Sequence, residues 1–328
     1  MRPTFLTRLV NGPLFDPIVY IRILNERKAI MFDCGSFLTI SNRELMLLEA
    51  IFISHTHMDH FMGIDHVLRV ILHRENPLHI YGPEGIREKM LAKLHAYTWN
   101  LTQAYGLEIH IHEVSYQGIS TITTKANAGF NVISEQSEPW HSHAIANTPR
   151  YSVEAVILDH NIPCLGFVIK EAFHINIRGD VLAERGYKAG PWLGRLKELI
   201  HAGLKGVIRV DTVRGTRSIP CEELVDDLVV VSPGQKITYL TDIRYSQANI
   251  ERVLPLALGT DILFIEAFYL DEMRDEAYHK GHLTAFQAGK VALALNAKRV
   301  IPMHISPRHH DQIEDVLAEV KELISSLE

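Results

Sequence analysis

The chain has 328 residues, 47% of them hydrophobic and 22% charged, with 33 lysines and arginines against 39 acids for a formal net charge of −6. That profile belongs to a folded globular protein, and it excludes disordered, fibrous and helical membrane-spanning chains, because no apolar run reaches the roughly eighteen residues that a span needs. The three cysteines, Cys34, Cys164 and Cys221, are far apart and in no C-x-x-C pair, and the first residues lack the order of a signal peptide, so a reducing, cytoplasmic setting is expected.

Apolar runs of strand length alternate with helical patterns, which predicts a layered α/β fold with helix-covered sheets. Strands are expected at 18–24, 28–33, 50–54, 78–81, 107–114, 120–125, 153–158, 165–170, 236–241, 261–267 and 299–305. Helices are expected at 63–73, 83–98 with Pro83 at its start, 192–202, 246–258, 284–296 and 311–327. The stretch 170–217 differs in character: ten lysines and arginines face five acids, and six of its residues are glycine or proline between Gly186 and Gly206. A hinged insertion suits that composition better than a core element.

The unusual count is 19 histidines, and histidine is the commonest metal ligand. Spacing sorts them. His55-Thr56-His57-Met58-Asp59-His60 follows an apolar strand directly. His55 and His57, two apart on extended chain, can project to one side and share an ion, while Asp59 and His60 turn toward a second. A solvated loop gives no reason for four ligand-type residues in six positions. Such a loop cannot close two coordination spheres, so further His and Asp are needed at other strand ends. His160 (beside Asp159), Asp242 and His304 each stand at the end of an apolar run, where a core would want another Val or Ile. Asp242 could instead cap the next helix, a task for which Ser246 is better placed.

With these motifs quoted, the chain resembles the metallo-β-lactamase superfamily through H-x-H-x-D-H, and ribonuclease Z relatives within it through four later segments. These are Leu158-Asp159-His160 with Gly166-Phe167, the run from Gly190-Pro191-Trp192 to Lys197, Phe264-Ile265-Glu266-Ala267 with His282-Leu283-Thr284, and His304-Ile305-Ser306-Pro307-Arg308. The resemblance implies a single domain over 1–328, an αββα four-layer sandwich, with a basic arm inserted at 170–217. It assigns His55, His57 and His160 to one divalent ion, Asp59, His60 and His304 to another, and makes Asp242 the bridge. Zinc is the expected metal, with manganese or iron as alternatives. Ions roughly 3.5–4 Å apart suit in-line displacement at phosphorus.

Asp59, His282 and Glu266 are the expected catalytic residues. His282, held by Glu266, would protonate the leaving oxygen; the bland alternative pairs Glu266 with Lys280. Arg195 and Lys197 on the arm are the expected substrate contacts, with precursor tRNA as substrate and a homodimer as the assembly. The competing reading is a related hydrolase of a small phosphodiester or other ester. A glyoxalase II-like thioesterase would share the first motif but leave the Glu266–His282 pair unexplained, and a degenerate scaffold subunit would have lost ligands. The chain departs from the family at Phe5-Leu6-Thr7-Arg8-Leu9-Val10-Asn11-Gly12, at Thr241-Asp242-Ile243 and at Leu283.

Other candidates are set aside. His110 and His112 alternate along a strand, His141 and His143 share a loop, and His309 and His310 precede the last helix. Cys34 reads as a small buried side chain, whereas Asp33 ends a strand near the metal loop and can support a ligand. Ile313, Val316, Leu317, Val320 and Ile324 form a core or dimer face.

Overall fold

Alternation of apolar side chains decides which strand faces are covered, and each face here has its own cover. In the computed structural model, which describes residues 3–24, 26–37, 39–140 and 142–324, the first sheet keeps chain order. It runs β1 (Phe5–Leu9), β2 (Val19–Ile23), β3 (Lys28–Phe32), β4 (Leu48–Phe52), β5 (Leu78–Pro83), β6 (Glu108–Ser115), β7 (Gly118–Lys125) and β8 (Val132–Glu138). Strands β3 to β6 are parallel and the flanking pairs antiparallel. Then come β9 (Ala144–Asn147), β10 (Tyr151–Asp159) and β11 (Pro163–Glu171). An insertion contributes β12 (His174–Ile177), β13 (Val207–Thr212), β14 (Gly215–Pro220) and β15 (Val229–Ser232), before β16 (Lys236–Leu240), β17 (Ile262–Glu266) and β18 (Val300–Met303). The second sheet has the order β18-β17-β16-β11-β10-β9.

One face of the first sheet, with Met31, Ile51, Ile80 and Ile111, packs on Val67, Ile71, Met90 and Leu94 of the helices Ile64–Ile71 and Ile86–His95. The second sheet does the same with Leu240, Leu263 and Ile265 under the helices Gln247–Ala257, Ala285–Ala294 and Ile313–Ile324. Between the sheets, Phe32 stacks on Phe167 at 5.4 Å and on Tyr239 at 5.3 Å, and Phe52 meets Phe167 edge-on at 5.7 Å. The order is helix, sheet, sheet, helix, the αββα sandwich that the motifs imply.

Every expected strand is present. The expected helix 63–73 is Ile64–Ile71, preceded by an unexpected short helix, Met58–Phe61, and Pro83 closes β5 while its helix begins at Ile86. The last helix starts at Ile313 after a 3-10 turn, Pro307–Gln312, and its expected end at 327 lies outside the described residues. Its apolar stripe belongs to the core, with Val316 and Val320 fully buried. β8 is exposed along its whole length and so carries no apolar alternation to be read.

Two compact units are distinguished: one comprises the described residues of Met1–Thr4 with Ala146–Ser152 and Lys170–Gln235, and the other the rest. The smaller has its own core of Trp192, Leu196, Ile208, Val210, Leu224 and Leu228 around the helices Trp192–His201 and Cys221–Leu228. The insertion is therefore more than a hinged loop, and residue 217 falls inside β14. The four acids at Glu222, Glu223, Asp226 and Asp227 come with no base, so from 170 to 235 ten basic residues face nine acidic ones.

Phe167 is fully buried between the two sheets. Phe167→Ala is expected to lower unfolding stability by about 3–5 kcal/mol, transfer and cavity terms together, read from urea unfolding midpoints at unchanged m-value.

Candidate metal centre

Strand ends supply the site, and sharp backbone turns aim it. Asp33, Asp242 and His304 follow β3, β16 and β18 closely and take left-handed φ values of +54°, +50° and +53°. Asp and His tolerate that region better than most residues, and here it turns three side chains inward at one edge. After β4, His55 and His57 lie on extended chain; the helix Met58–Phe61 then begins, so Asp59 and His60 swing to a different side.

The side chains gather as two sets. His55, His57 and His160 offer ligand atoms within 4.8 Å of one another, and so do Asp59, His60 and His304. Asp242 stands between them: its Oδ1 lies 3.4 Å from His160 Nε2, and its Oδ2 lies 3.0 Å from His60 Nε2 and 3.2 Å from His304 Nδ1. Asp59 Oδ2 is 3.4 Å from His60 Nε2 and 3.3 Å from His304 Nε2. His55 and His60 are fully buried; among the described residues His55 Nε2 has no hydrogen-bond partner, and His60 Nε2 faces only the carboxylates of Asp242 and Asp59, out of line for a hydrogen bond. Buried ring nitrogens are normally satisfied, so two of them aimed into one cluster fit a cation.

The far sides of three rings are fixed. His60 Nδ1 donates to Asp33 Oδ2 at 2.8 Å, and His160 Nδ1 donates to the Gly281 carbonyl at 2.8 Å. His55 Nδ1 lies 3.1 Å from Ser54 Oγ. Such partners hold the tautomer in which Nε2 carries the lone pair.

Charge follows the same plan. Burial, then the neighbouring His60, holds the His55 imidazole well below its ordinary pKa, which keeps it neutral and able to ligate. Burial opposes charge on His60 and His304, but the surrounding carboxylates, Asp242 with Asp33 at His60 and Asp242 with Asp59 and Glu266 at His304, together raise both. Asp59 and Asp242 are lowered against the effect of burial, with His304 and His60 as the cause. Protons on His60 and His304 thus balance two carboxylates, and a divalent cation would displace them.

Glu266 and His282 stand beside this cage. His282 Nδ1 donates to Glu266 Oε2 at 2.9 Å, and Glu266 Oε1 accepts from the backbone N–H of Ile243 at 2.9 Å and Leu283 at 3.1 Å. Lys280 pairs with Glu276 instead, which disposes of the bland alternative. Burial works against the His282 charge, but Glu266, helped by Asp242, raises the pKa. His282 Nδ1 also lies 3.4 Å from Asp242 Oδ1, but its proton belongs to Glu266. Asp242 is no helix cap: Ser246 Oγ accepts from Asn249 N–H at the start of the helix Gln247–Ala257.

The set-aside residues fall elsewhere. His110 and His112 stack with His79 on β5 and β6 and bond Thr123 and Thr121. His143 faces the Ala155 carbonyl, and His141 lies outside the described residues. His309 is buried against Gln312, His310 pairs with Asp311, and Cys34 is buried. On the insertion, Arg195 is exposed and pairs with Glu198, whereas Lys197 is half-buried and donates to the Ile175 carbonyl at 2.8 Å.

Sequence reasoning missed Ser54, Tyr239, Gly35 and Gly281. A Cβ on Gly35 would sit 1.9 Å from the Asp59 carbonyl, so only glycine lets the chain after Asp33 lie against the metal loop. Gly281 has φ +78°, and a Cβ there would sit 2.9 Å from His160 Nδ1. Gly281 also ends the helix Arg274–Lys280 as a left-handed cap, but nothing local marks the role of either glycine at the site, because that role depends on a neighbour far away in sequence.

A family model described as Beta-lactamase superfamily domain matches residues 207–305. Ribonuclease Z of Bacillus cereus is 32% identical over 323 residues, which cover 94% of this chain and 89% of that one. Ribonuclease Z of Deinococcus radiodurans is 29% identical over 285 residues, 86% of this chain and 83% of its own. Among solved structures, human tRNase Z, short form, superposes with a TM-score of 0.54 over 93% of each chain at 19% identity, a likeness of fold.

Gly281→Ala is expected to weaken divalent-cation binding by roughly 10- to 100-fold, the usual cost of disturbing a ligand's outer partner. Titration of the metal-free protein with zinc, followed by calorimetry, measures it; unchanged affinity would remove the role given to the Gly281 carbonyl.

Proposed function

Since this chain belongs to the ribonuclease Z family, we propose that it is a metal-dependent endoribonuclease that cuts precursor tRNA at the 3′ end. The observation that carries this reading is the Glu266–His282 pair beside a cage of seven His and Asp side chains. Hydrolysis of a good ester leaving group needs the cage alone, whereas an alkoxide leaving from phosphorus needs a proton as well.

His55, His57 and His160 are proposed to hold one divalent cation and Asp59, His60 and His304 a second, with Asp242 shared. Bound there, two zinc ions (or manganese or iron) supply Lewis acidity to the scissile phosphate and acidify the attacking water. The residues do the rest. Asp59, half-buried, orients the water. His282 offers a proton from Nε2 to the leaving ribose oxygen, because Glu266 occupies Nδ1 and stabilises the charged ring. Once the proton has left, the Glu266 carboxylate favours its return from solvent.

The insertion is proposed as the arm that grips RNA. Its support is a groove of about 640 Å³ lined by Trp192, Arg195, Arg209 and Asp211 among others. A polyanion suits the guanidinium groups of Arg195 and Arg209 on that groove. Arg195 is the contact proposed there; Lys197, also expected from sequence, uses its ammonium inside the insertion. A homodimer and a cytoplasmic setting complete the proposal, the latter supported by three free, buried cysteines. No described helix is long and apolar enough to cross a membrane.

His282→Ala should keep its metal by elemental analysis while turnover on a 3′-extended tRNA falls by roughly 10²–10⁴. The loss should be much smaller on bis(p-nitrophenyl) phosphate, whose leaving group needs little protonation. Loss of metal from His282→Ala, with His304→Ala retaining it, would reverse the two assignments.

Arg195→Ala tests the arm without removing its core, which a deletion of 172–206 would break by taking Trp192 and Leu196 from Ile208 and Leu224. The log–log salt dependence of tRNA binding should flatten by about one unit for each phosphate that the arm no longer neutralises. An unaltered slope, measured by filter binding from low to moderate salt, would place the RNA-binding surface elsewhere.

A further inference from the structure

Three segments that carry residues of the metal centre meet again outside it, on one aromatic ring. Tyr278 lies on the helix Arg274–Lys280, four residues before His282, and is 53% exposed. The Arg244 guanidinium, two residues after Asp242, lies over its ring at 5.0 Å from the centroid. That guanidinium is pinned by Asn161 and Asp159, the two neighbours of His160: it donates to Asn161 Oδ1 and lies 3.4 Å from Asp159 Oδ2. The Arg244 backbone N–H donates to the Asp159 carbonyl at 2.9 Å, and Asn161 Nδ2 donates to the His279 carbonyl at 3.3 Å. Asn161 holds a left-handed φ of +63°, the turn that lets it reach both segments.

We propose that Tyr278, backed by Arg244, is a stacking platform for a nucleobase next to the scissile phosphate. The inference rests on the RNA-cutting reading and deepens it by naming where a base sits. An exposed tyrosine on a mobile loop would stack weakly, since ordering it costs entropy. Here the ring is already ordered: a guanidinium covers one face, and that guanidinium has its own two anchors. A cation over one face of the ring also leaves a flat, preorganised surface, the property shared by single-strand binding sites that stack bases without reading sequence. Because Asp159, Asn161, Arg244 and Tyr278 sit within four residues of His160, Asp242 or His282 in the chain, the platform belongs to the rim of the cage. In this proposal a base stacked there sits beside the phosphate under attack, so the ring acts on substrate position and leaves proton transfer to His282.

The test couples the ring to the base. A 3′-extended tRNA is made with an abasic nucleotide on either side of the cut. With wild-type protein one of the two should raise KM by roughly 5- to 150-fold, the range for loss of a single base–aromatic stack. Tyr278→Ala should show the same rise on intact tRNA and no further rise on that abasic substrate; Tyr278→Phe should behave as wild type. Tyr278→Trp supplies a readout that needs no cleavage: a short single-stranded RNA should quench its fluorescence, and the abasic version should not. If Tyr278→Ala stays as sensitive to both abasic substrates as wild type, or if RNA leaves the tryptophan emission unchanged, the platform is overturned. If wild-type protein leaves tRNA uncut, the processing reading falls and the tryptophan titration alone judges the platform, quenching keeping it and no quenching ending it.

Discussion

Much of this molecule depends on the carboxylate of Asp33. It is fully buried and receives four hydrogen bonds, from Ser54 N–H at 2.6 Å, Ser54 Oγ at 2.7 Å, His60 Nδ1 at 2.8 Å and Tyr239 OH at 2.7 Å. A buried carboxylate without partners is costly, and one with four donors is among the most rigid contacts a core can contain. Ser54 and His60 flank the metal loop that follows β4, while Tyr239 comes from β16 in the second sheet. One side chain therefore sets the aim of a ligand, the start of the ligand loop and the register of the two sheets. That explains why ring contacts among Phe32, Phe167 and Tyr239 lie directly behind the site: the apolar packing holds Asp33 where its donors are.

A second constraint follows from supply and demand among acids. Asp242, Asp59 and Glu266 crowd one edge with six histidines, and burial alone would discharge them all. The structure separates their duties by which nitrogen each histidine has left. His60 and His160 have Nδ1 taken, by a carboxylate and a carbonyl, and so present Nε2 to the cage. His282 also has Nδ1 taken, by a carboxylate that two backbone N–H groups hold in place. His160 and His282 lie equally far from Asp242 Oδ1, at 3.4 Å, and differ in the nitrogen turned to it, Nε2 for His160 and Nδ1 for His282; that difference separates the proposed ligand from the proposed acid.

The insertion obeys a different logic. Its helices and hairpin surround a core of their own, which gives Arg195 and Arg209 a rigid surface instead of a flexible tether. Basic residues are concentrated in its first part and acidic ones in the helix Cys221–Leu228, so the unit is polar along its length and near neutral in sum. If the insertion is the proposed RNA contact, a surface of that kind would orient a polyanion more than simply attract one.

How far the sequence alone reached depends on the range of the physics involved. Eleven of the fourteen strands in the two sheets were legible because each carries an apolar run, and the cage was legible because His55 to His60 crowd a loop at metal-ligand spacing, with His160, Asp242 and His304 each breaking an apolar run at its end. Those are local signals. Asp33 was legible only as a polar strand end, and Ser54, Tyr239, Gly35 and Gly281 were silent, since their roles arise from atoms tens to hundreds of residues away. The same reason hid β8, with no buried face to alternate, and the core of the insertion, whose glycines and charges read as a hinge until Trp192, Leu196 and Leu224 meet. Lys197 shows the converse: its type and place suggested a partner in solution, and only folding brought the Ile175 carbonyl within reach. Local chemistry determined which side chains could hold a cation; the tertiary fold decided which nitrogen each one presents, because that choice is made by the partner on the other side of the ring.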